Sequence, residues 1–453
     1  MKRALFALAS AATLAGCVPK EAGFPDVARA VSERTGDRIV WNRGGEADVE
    51  VASRVRALLA KPLGADEAVQ VALLRNRGLQ ATYEDLMIAQ ADVVQAGLLR
   101  NPVLSGSLRF PLDQAGAPNL ELGVEQDFLD VLLIPARKRL ASSAFEAAKL
   151  RVGNEVMRLA ADVRVAYFTL QGAQQMVAMR RTIAEAGEAS VELAQRQHEA
   201  GNISDLDYAG EQALYEQIRL DLARSEGEIL VARERLVRLL GLFGDDVRFT
   251  LPDRLPDLPA ADPPLERLEA LAISRRLDVA AARQEVQVSA HQLALASGGR
   301  FLVGGVGASF EREVDGKRVV GPTARLEVPL FDQKQAMLAR LEAELRQRRE
   351  RLAALAIDVR SEVREARSRV LVTRGIAAHY HRVVIPLRER IVALSQQNYD
   401  AMLLGVYQLL IAKQSEVNTY REYIEAVRDY WIARSELSRA VGGRLEEAGS
   451  SGR

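Results

Sequence analysis

Ala232-Arg233-Glu234-Arg235-Leu236-Val237-Arg238, followed by Gly241, returns as Ala433-Arg434-Ser435-Glu436-Leu437-Ser438-Arg439, followed by Gly442, at an offset of 201 residues. Around Asp127-Phe128-Leu129-Asp130 and Pro329-Leu330-Phe331-Asp332 the offset is 202, and around Arg77-Gly78-Leu79 and Arg275-Arg276-Leu277 it is 198. A nearly constant offset over this distance means an internal duplication, with a period too long for a solenoid.

The prolines divide the two copies. None lies between Pro135 and Pro252, between Pro329 and Pro386, or after Pro386. Such runs permit very long helices. Pro252, Pro256, Pro259, Pro263 and Pro264 lie in Asp-rich surroundings and read as a linker. The expected organisation is a signal peptide at 1–16, an extended N-terminal segment at 17–65, a first repeat at 66–241, a linker at 242–264, a second repeat at 265–442 and a flexible tail at 443–453.

Each copy reads as helix, β-hairpin, long helix, long helix. In the first, a helix is expected over about 66–99. Leu104, Gly106, Leu108 and Phe110 then alternate with Ser105, Ser107 and Arg109, and Leu120, Leu122 and Val124 with Glu121, Gly123 and Glu125. Period-2 alternation gives strands with one apolar and one wet side. In the second, Ala324, Leu326, Val328 and Leu330 oppose Thr323, Arg325 and Glu327 after the turn Val314-Asp315-Gly316-Lys317. The expected strands are 103–112, 119–129, 300–312 and 319–330, each about the ~9–11 residues that a tilted strand needs to cross a bilayer. The helices carry narrow apolar stripes. Leu338, Leu341, Leu345, Leu352, Leu355, Val359, Val363 and Val370 step by 3, 4 or 7, as do Leu214, Ile218, Leu222, Ile229, Leu236 and Leu240 by 4 and 7. That is the spacing of a coiled-coil-like seam.

Met1-Lys2-Arg3 and the small, apolar stretch Ala4 to Gly16 read as a secretory signal peptide. It ends in Leu14-Ala15-Gly16-Cys17, and Cys17 is the only cysteine of the chain. This resembles the lipobox of bacterial lipoproteins, which implies lipidation of Cys17; Val18 in the next position implies outer-membrane sorting. No later segment is long and apolar enough for a transmembrane helix, so a spanning structure has to be a β-barrel.

Lys plus Arg is 61 and Asp plus Glu is 61, a balance that gives no case for nucleic-acid binding. No catalytic constellation emerges. His379 and His381 at i and i+2 do not share a helix face, the methionines are scattered, and neither a Walker loop nor zinc spacing occurs. No enzyme, cofactor or metal site is expected.

The ordered set of features resembles the TolC-type outer-membrane efflux family over about residues 66–442. Asp66-Glu67-Ala68-Val69 to Asn76 resembles its opening helix, and Asn101-Pro102 the entry to its first strand. Glu199-Ala200-Gly201-Asn202-Ile203-Ser204-Asp205-Leu206-Asp207 resembles the turn between its long helices. Arg276-Leu277-Asp278-Val279 resembles its Arg-Pro-Asp-Val segment, with Leu277 in place of Pro, and Val328-Pro329-Leu330-Phe331-Asp332 its strand-to-helix junction. The resemblance implies a mainly α fold with a small β part, and a homotrimer. Long coiled helices then form a periplasmic α-barrel, and four strands per chain contribute to a 12-stranded outer-membrane β-barrel. Bottom-up, four strands with exposed edges already demand closure in lipid.

The function so implied is a passive outer-membrane exit duct that takes substrates from an inner-membrane pump through a periplasmic adapter. A channel of the same fold exporting polypeptides and a non-pore adapter or structural lipoprotein remain as alternatives. The expected adapter-docking tip consists of Gly201, Asn202 and Ser204 in one turn and Gly405, Val406 and Tyr407 in the other. Both glycines are expected at φ > 0, where the chain reverses between antiparallel helices. Ser204 and Asp205 are candidate caps, and Asp205 and Asp207 candidate pore-entrance charges.

Overall fold

The computed structural model describes residues 18–110, 112, 118–262, 265–299 and 304–445. The signal peptide and Cys17 lie outside the described residues. Helices α1 (Phe24–Thr35), α2 (Glu46–Leu59), α3 (Ala65–Arg75) and α4 (Arg77–Ala96) precede β1 (Val103–Arg109) and β2 (Asn119–Gln126). A 3-10 turn at Leu129–Leu133 leads into α5 (Ile134–Glu199), which is followed by α6 (Asp205–Leu240). The second copy repeats this order with α7 (Leu268–Arg275), α8 (Leu277–Gly298), β3 (Gly304–Arg312), β4 (Arg318–Leu326), α9 (Gln335–His379), a π-turn (Tyr380–Val384), α10 (Ile385–Asp400) and α11 (Val406–Val441). The chain is mainly helical with a small antiparallel sheet, and it is internally duplicated.

Two compact units divide the residues, and each draws on both copies. The first gathers the described part of Met1–Val27 with Tyr83–Val152 and Leu277–Ala356; the second gathers Ala28–Thr82, Gly153–Arg276 and the described part of Ile357–Arg453.

The first unit holds the four-stranded sheet, ordered β1-β2-β3-β4. Leu104 pairs with Val124, Leu122 with Phe310, and Phe310 with Val320, so large apolar residues share one face across all four strands. Glu121, Glu125, Glu311, Arg109 and Arg325 share the other. There Arg109 pairs with Glu121 at 3.1 Å, Arg325 with Glu125 at 2.8 Å, and Asn119 donates to Glu311 at 2.7 Å. The second and fourth strands stop three and four residues short of expectation. In β2 the chain turns into the 3-10 segment, and beyond β4 Pro329 has no N–H for a ladder. Below β2, Asp130 is buried and bracketed by Arg137 at 2.9 Å and Arg100 at 3.4 Å, with Arg100 also on Asp127. A buried carboxylate so paired keeps its charge compensated.

The second unit carries the main helical core: Val69, Leu73, Leu74, Val163, Leu170, Leu236, Leu240, Val363, Val370, Tyr430 and Leu437 are all buried. The duplication is visible in its joints. Gly241 ends α6 at φ 70 and Gly442 ends α11 at φ 82, each bonding back to the preceding turn through its own N–H and that of the next residue. These are left-handed helix caps. Each glycine abuts a helix break: a Cβ on Gly241 would lie 2.8 Å from Arg75 O, and one on Gly442 3.0 Å from Arg276 N.

Three expectations need correction. The opening helix is not continuous over 66–99. It breaks at Asn76, whose Nδ2 donates to Leu239 O and whose Oδ1 accepts from Leu79 N, so its side chain both ties down α6 and caps α4. The segment 17–65 is not extended throughout. It holds α1 and α2, whose Val27, Val31, Val51 and Val55 at helical spacing are buried. Nor is 242–262 a loose linker: Phe249, Leu251 and Leu255 are buried, Gln171 donates to Pro252 O and Arg254 O, and Trp431 Nε1 donates to Pro256 O. Arg374 bonds Pro259 O and Ala260 O, and Tyr430 donates to Asp262. In the described part of the tail, Leu445 is buried and Arg444 N donates to Arg34 O.

Candidate functional site

Two surfaces stand out, one in each unit. In the first unit the apolar sheet face is uncovered. Leu104, Leu108, Leu122, Val124, Val306, Val320 and Leu326 are all exposed on it. Soluble monomers rarely expose an apolar face of this extent. The polar face carries Gly123, Gly305, Gly307 and Gly321 in register with the ion pairs. A Cβ on Gly305 would come 2.6 Å from Glu125 Oε1, so the small residues make room for the charged ones. β1 and β4 form the two outer edges. Among the described residues, no helix is long and apolar enough to cross a membrane.

In the second unit two short turns join the long helices. In the first, Gly201 has φ 73, its N–H reaches His198 O, and Asn202 N donates to Gln197 O at 2.8 Å. Ser204 is the N-cap of α6, accepting from Asp207 N at 3.1 Å, while Ser204 N and Oγ both point to Asp207 Oδ2. This is a reciprocal capping box. The cap partner of Ser204 is therefore Asp207. Asp205, the first residue of α6, is 98% exposed and takes a 2.6 Å hydrogen bond with His198 Nε2. His198 in turn stacks on Tyr208 at 5.0 Å.

The second turn repeats this geometry 201 residues on, and the repeat corrects one assignment. Gly405 is not at positive φ. It has φ −76 and ψ 155, serves as the N-cap of α11, and donates its N–H to Gln408 Oε1 at 2.9 Å. The left-handed residue is Met402, at φ 57, with Leu403 N bonded to Asn398 O as Asn202 N is to Gln197 O. Gly405 thus stands where the first copy has Ser204, and Met402 where it has Gly201. An N-cap tolerates glycine for lack of any steric demand. The offset of 201 read from the helix ends carries this register; matching glycine to glycine does not. The side chains of Val406 and Tyr407 lie outside the described residues, and their backbone opens α11.

The apolar residues of this second turn carry no motif, and sequence reading passes over them. Met402 is 94% exposed and Leu403 77%, with Leu206 exposed on the first turn. The other histidines are dispersed. His291 sits 2.9 Å from Ser143 Oγ, and His381 stacks on Tyr423. Among the described residues, no three His, Cys, Asp or Glu side chains gather as a metal site.

The duplicated chain thus carries a sheet with an exposed apolar face and a charged reverse face, together with long helices. Residues 68–242 match the model of the family described as outer membrane efflux protein. The cobalt-zinc-cadmium resistance protein CzcC of Cupriavidus metallidurans is 22% identical over 84% of this chain and 91% of its own length. The outer membrane protein OprJ of Pseudomonas aeruginosa is 25% identical over 84% of each. The crystal structure of a membrane protein from Pseudomonas aeruginosa superposes with a TM-score of 0.72 at 22% identity, covering 83% of this chain and 92% of that one.

Proposed function

We propose that the chain is one subunit of a lipid-anchored, trimeric exit duct in a tripartite efflux system, with most of its mass in the periplasm. The observation that carries this reading is the four-stranded sheet, apolar on one face, charged on the other and open at both edges. Unpaired strand edges do not persist in lipid. Three copies supply twelve strands and close the barrel with the apolar face to lipid and the ion pairs to the lumen.

The helix turns of the second unit are the proposed docking tip for the hairpin of a periplasmic adapter, which links the duct to an inner-membrane pump. Gly201, Asn202, Ser204, Gly405, Val406 and Tyr407 belong to it, and Met402 and Leu403 give it an apolar contact. Asp207 is occupied by the cap of Ser204, whereas Asp205, bonded to His198 on one side, keeps its side chain exposed, so of the two candidate entrance charges Asp205 is the one placed to face an aqueous pore. The relationship to a cobalt-zinc-cadmium resistance protein favours small ions or molecules over polypeptides as cargo.

The test is a Met402→Glu/Leu403→Glu double variant. A membrane-inserted trimer that no longer crosslinks to its adapter and no longer supports resistance is the expected result. Unchanged crosslinking and resistance refute the tip assignment.

A further inference from the structure

We infer that a cleft in the second unit binds an organic anion, its carboxylate held by Arg254 and Arg275 and its apolar body against Phe168 and Trp431. The proposed exit duct makes no use of this cleft, and neither of the two tip turns lines it.

The cleft has a volume of about 950 Å³, at the upper end of the range for small-molecule sites. It opens where the end of α1, the start of α3, the middle of α5, the proline-rich stretch, the end of α7 and the last turns of α11 converge. Six arginines and only three carboxylates line it. Asp66 is taken by Arg164 at 3.0 Å and by Arg444. Glu67 folds back against Gly64 at the start of α3. Glu33 lies near Arg34, whose guanidinium donates to Ala30 O at 2.8 Å and to Arg275 O at 3.1 Å. Among the described residues, no carboxylate pairs with Arg254 or Arg275. Burial pulls Arg34 below the ordinary guanidinium value, and nearby Arg275 pulls the same way against Glu33. The cationic wall is thus under-compensated, and an anion relieves both its desolvation and its self-repulsion.

The other wall is apolar. The rings of Phe168 and Trp431 stack at 5.4 Å with 23° between their planes, and Trp431 Nε1 donates to Pro256 O at 2.9 Å, which fixes the indole. Pro252 and Leu445 extend this wall. Arg434 lies 5.4 Å over the Trp431 ring and carries the positive field onto it. A bare inorganic anion would leave the aromatic wall wet, and a neutral aromatic molecule would leave the arginines without a counter-charge. An aromatic carboxylate satisfies both, because a guanidinium fork takes a carboxylate through parallel charged hydrogen bonds while the ring covers the apolar side. Arg254 belongs to the proline-rich stretch and Arg275 to the second copy. The bound anion therefore also pins one to the other.

The experiment uses the full-length protein purified in detergent and measures 2-naphthoate binding by equilibrium dialysis against empty micelles. Comparators are 2-naphthamide, which keeps the ring system without the charge, and inorganic phosphate. Naphthoate should bind saturably at one per chain, and naphthamide at least tenfold more weakly. An Arg254→Gln/Arg275→Gln variant should keep the parent's circular dichroism spectrum and lose at least tenfold in naphthoate affinity. Naphthoate should raise the unfolding temperature of the parent and leave that of the variant unchanged, since a ligand stabilises only the state that binds it. Arg254→Gln alone, at an exposed side chain, should already weaken binding at least threefold and serves where the double variant does not fold. Several results would overturn the site: no saturable binding to the parent, naphthamide binding as tightly as naphthoate, or arginine variants that bind like the parent. Displacement of naphthoate by phosphate at equal concentration would show an adventitious ion only, and would overturn it as well.

Discussion

Replacing Gly241 by alanine tests, at a single atom, the joint within the first copy where the end of α6 meets the break between α3 and α4. The residue is held at φ 70, where a Cβ costs about 1–2 kcal/mol in any surroundings. The added carbon would also lie 2.8 Å from Arg75 O and 2.9 Å from Asn76 Cα, both backbone atoms. They cannot withdraw without disturbing Asn76, which is tied to Leu239 O and Leu79 N. Overpacking of that kind adds about 1–3 kcal/mol. Gly201 has nearly the same φ, 73, but nothing lies within 4 Å of its virtual Cβ. Gly201→Ala should therefore cost the backbone part alone. Thermal unfolding of the purified protein in detergent, followed by far-ultraviolet circular dichroism, should rank Gly241→Ala well below Gly201→Ala, with Gly442→Ala alongside Gly241→Ala. Equal shifts for Gly241→Ala and Gly201→Ala would refute the claim that the close approach, not the backbone angle, makes glycine necessary at the joint.

Other outcomes follow from the same reasoning. Leu122→Arg should impair trimer insertion more than Glu121→Arg, since an Arg on the lipid face of a barrel costs about 2–4 kcal/mol at mid-bilayer; equal effects on heat-resistant oligomer yield would contradict the facing of β2. Met402→Gly should raise the unfolding temperature slightly, in the same thermal assay, by relieving the left-handed strain. Burial alone would raise the pKa of Asp66, but Arg164 and Arg444 more than reverse this and hold its carboxyl below the usual range. Its contribution to stability is present above the unfolded carboxylate pKa and is lost as pH falls through the lower folded value. Asp66→Asn should therefore flatten the acid limb of the stability profile below about pH 4 and lower stability at neutral pH. A palmitate-labelling assay should find Cys17→Ser unlabelled.

The duplication, the long helices and the facing of the strands were legible because each is a periodic signal repeated many times. Leu104, Leu122, Val124 and Leu326 share the uncovered face that their alternation demands. What the sequence hid was tertiary. Asn76 breaks a helix that its neighbours' pattern would continue, because its side chain is needed by Leu239 and Leu79. The proline-rich 242–262 reads as a linker by composition, but its carbonyls are bonded by Gln171, Trp431 and Arg374. At the tip, a glycine in each turn suggests a reversal at positive φ. The second copy instead strains a methionine and spends its glycine on an N-cap, and only the offset of 201 distinguishes the two.

That proline-rich stretch bears on how separable the two copies are. Gln171 and Gln175 from the first copy hold Pro252, Arg254 and Leu255, while Arg374, Tyr430 and Trp431 from the second hold Pro256, Pro259, Ala260 and Asp262. The segment belongs to neither copy and serves as a seam stitched to both. A cut after residue 262 would leave the first half carrying a template for the second, whereas a cut at Leu242 would pass that template to the second half. What began as two equal modules has become an unequal pair, and a half taken from another such chain would need its own seam to fit.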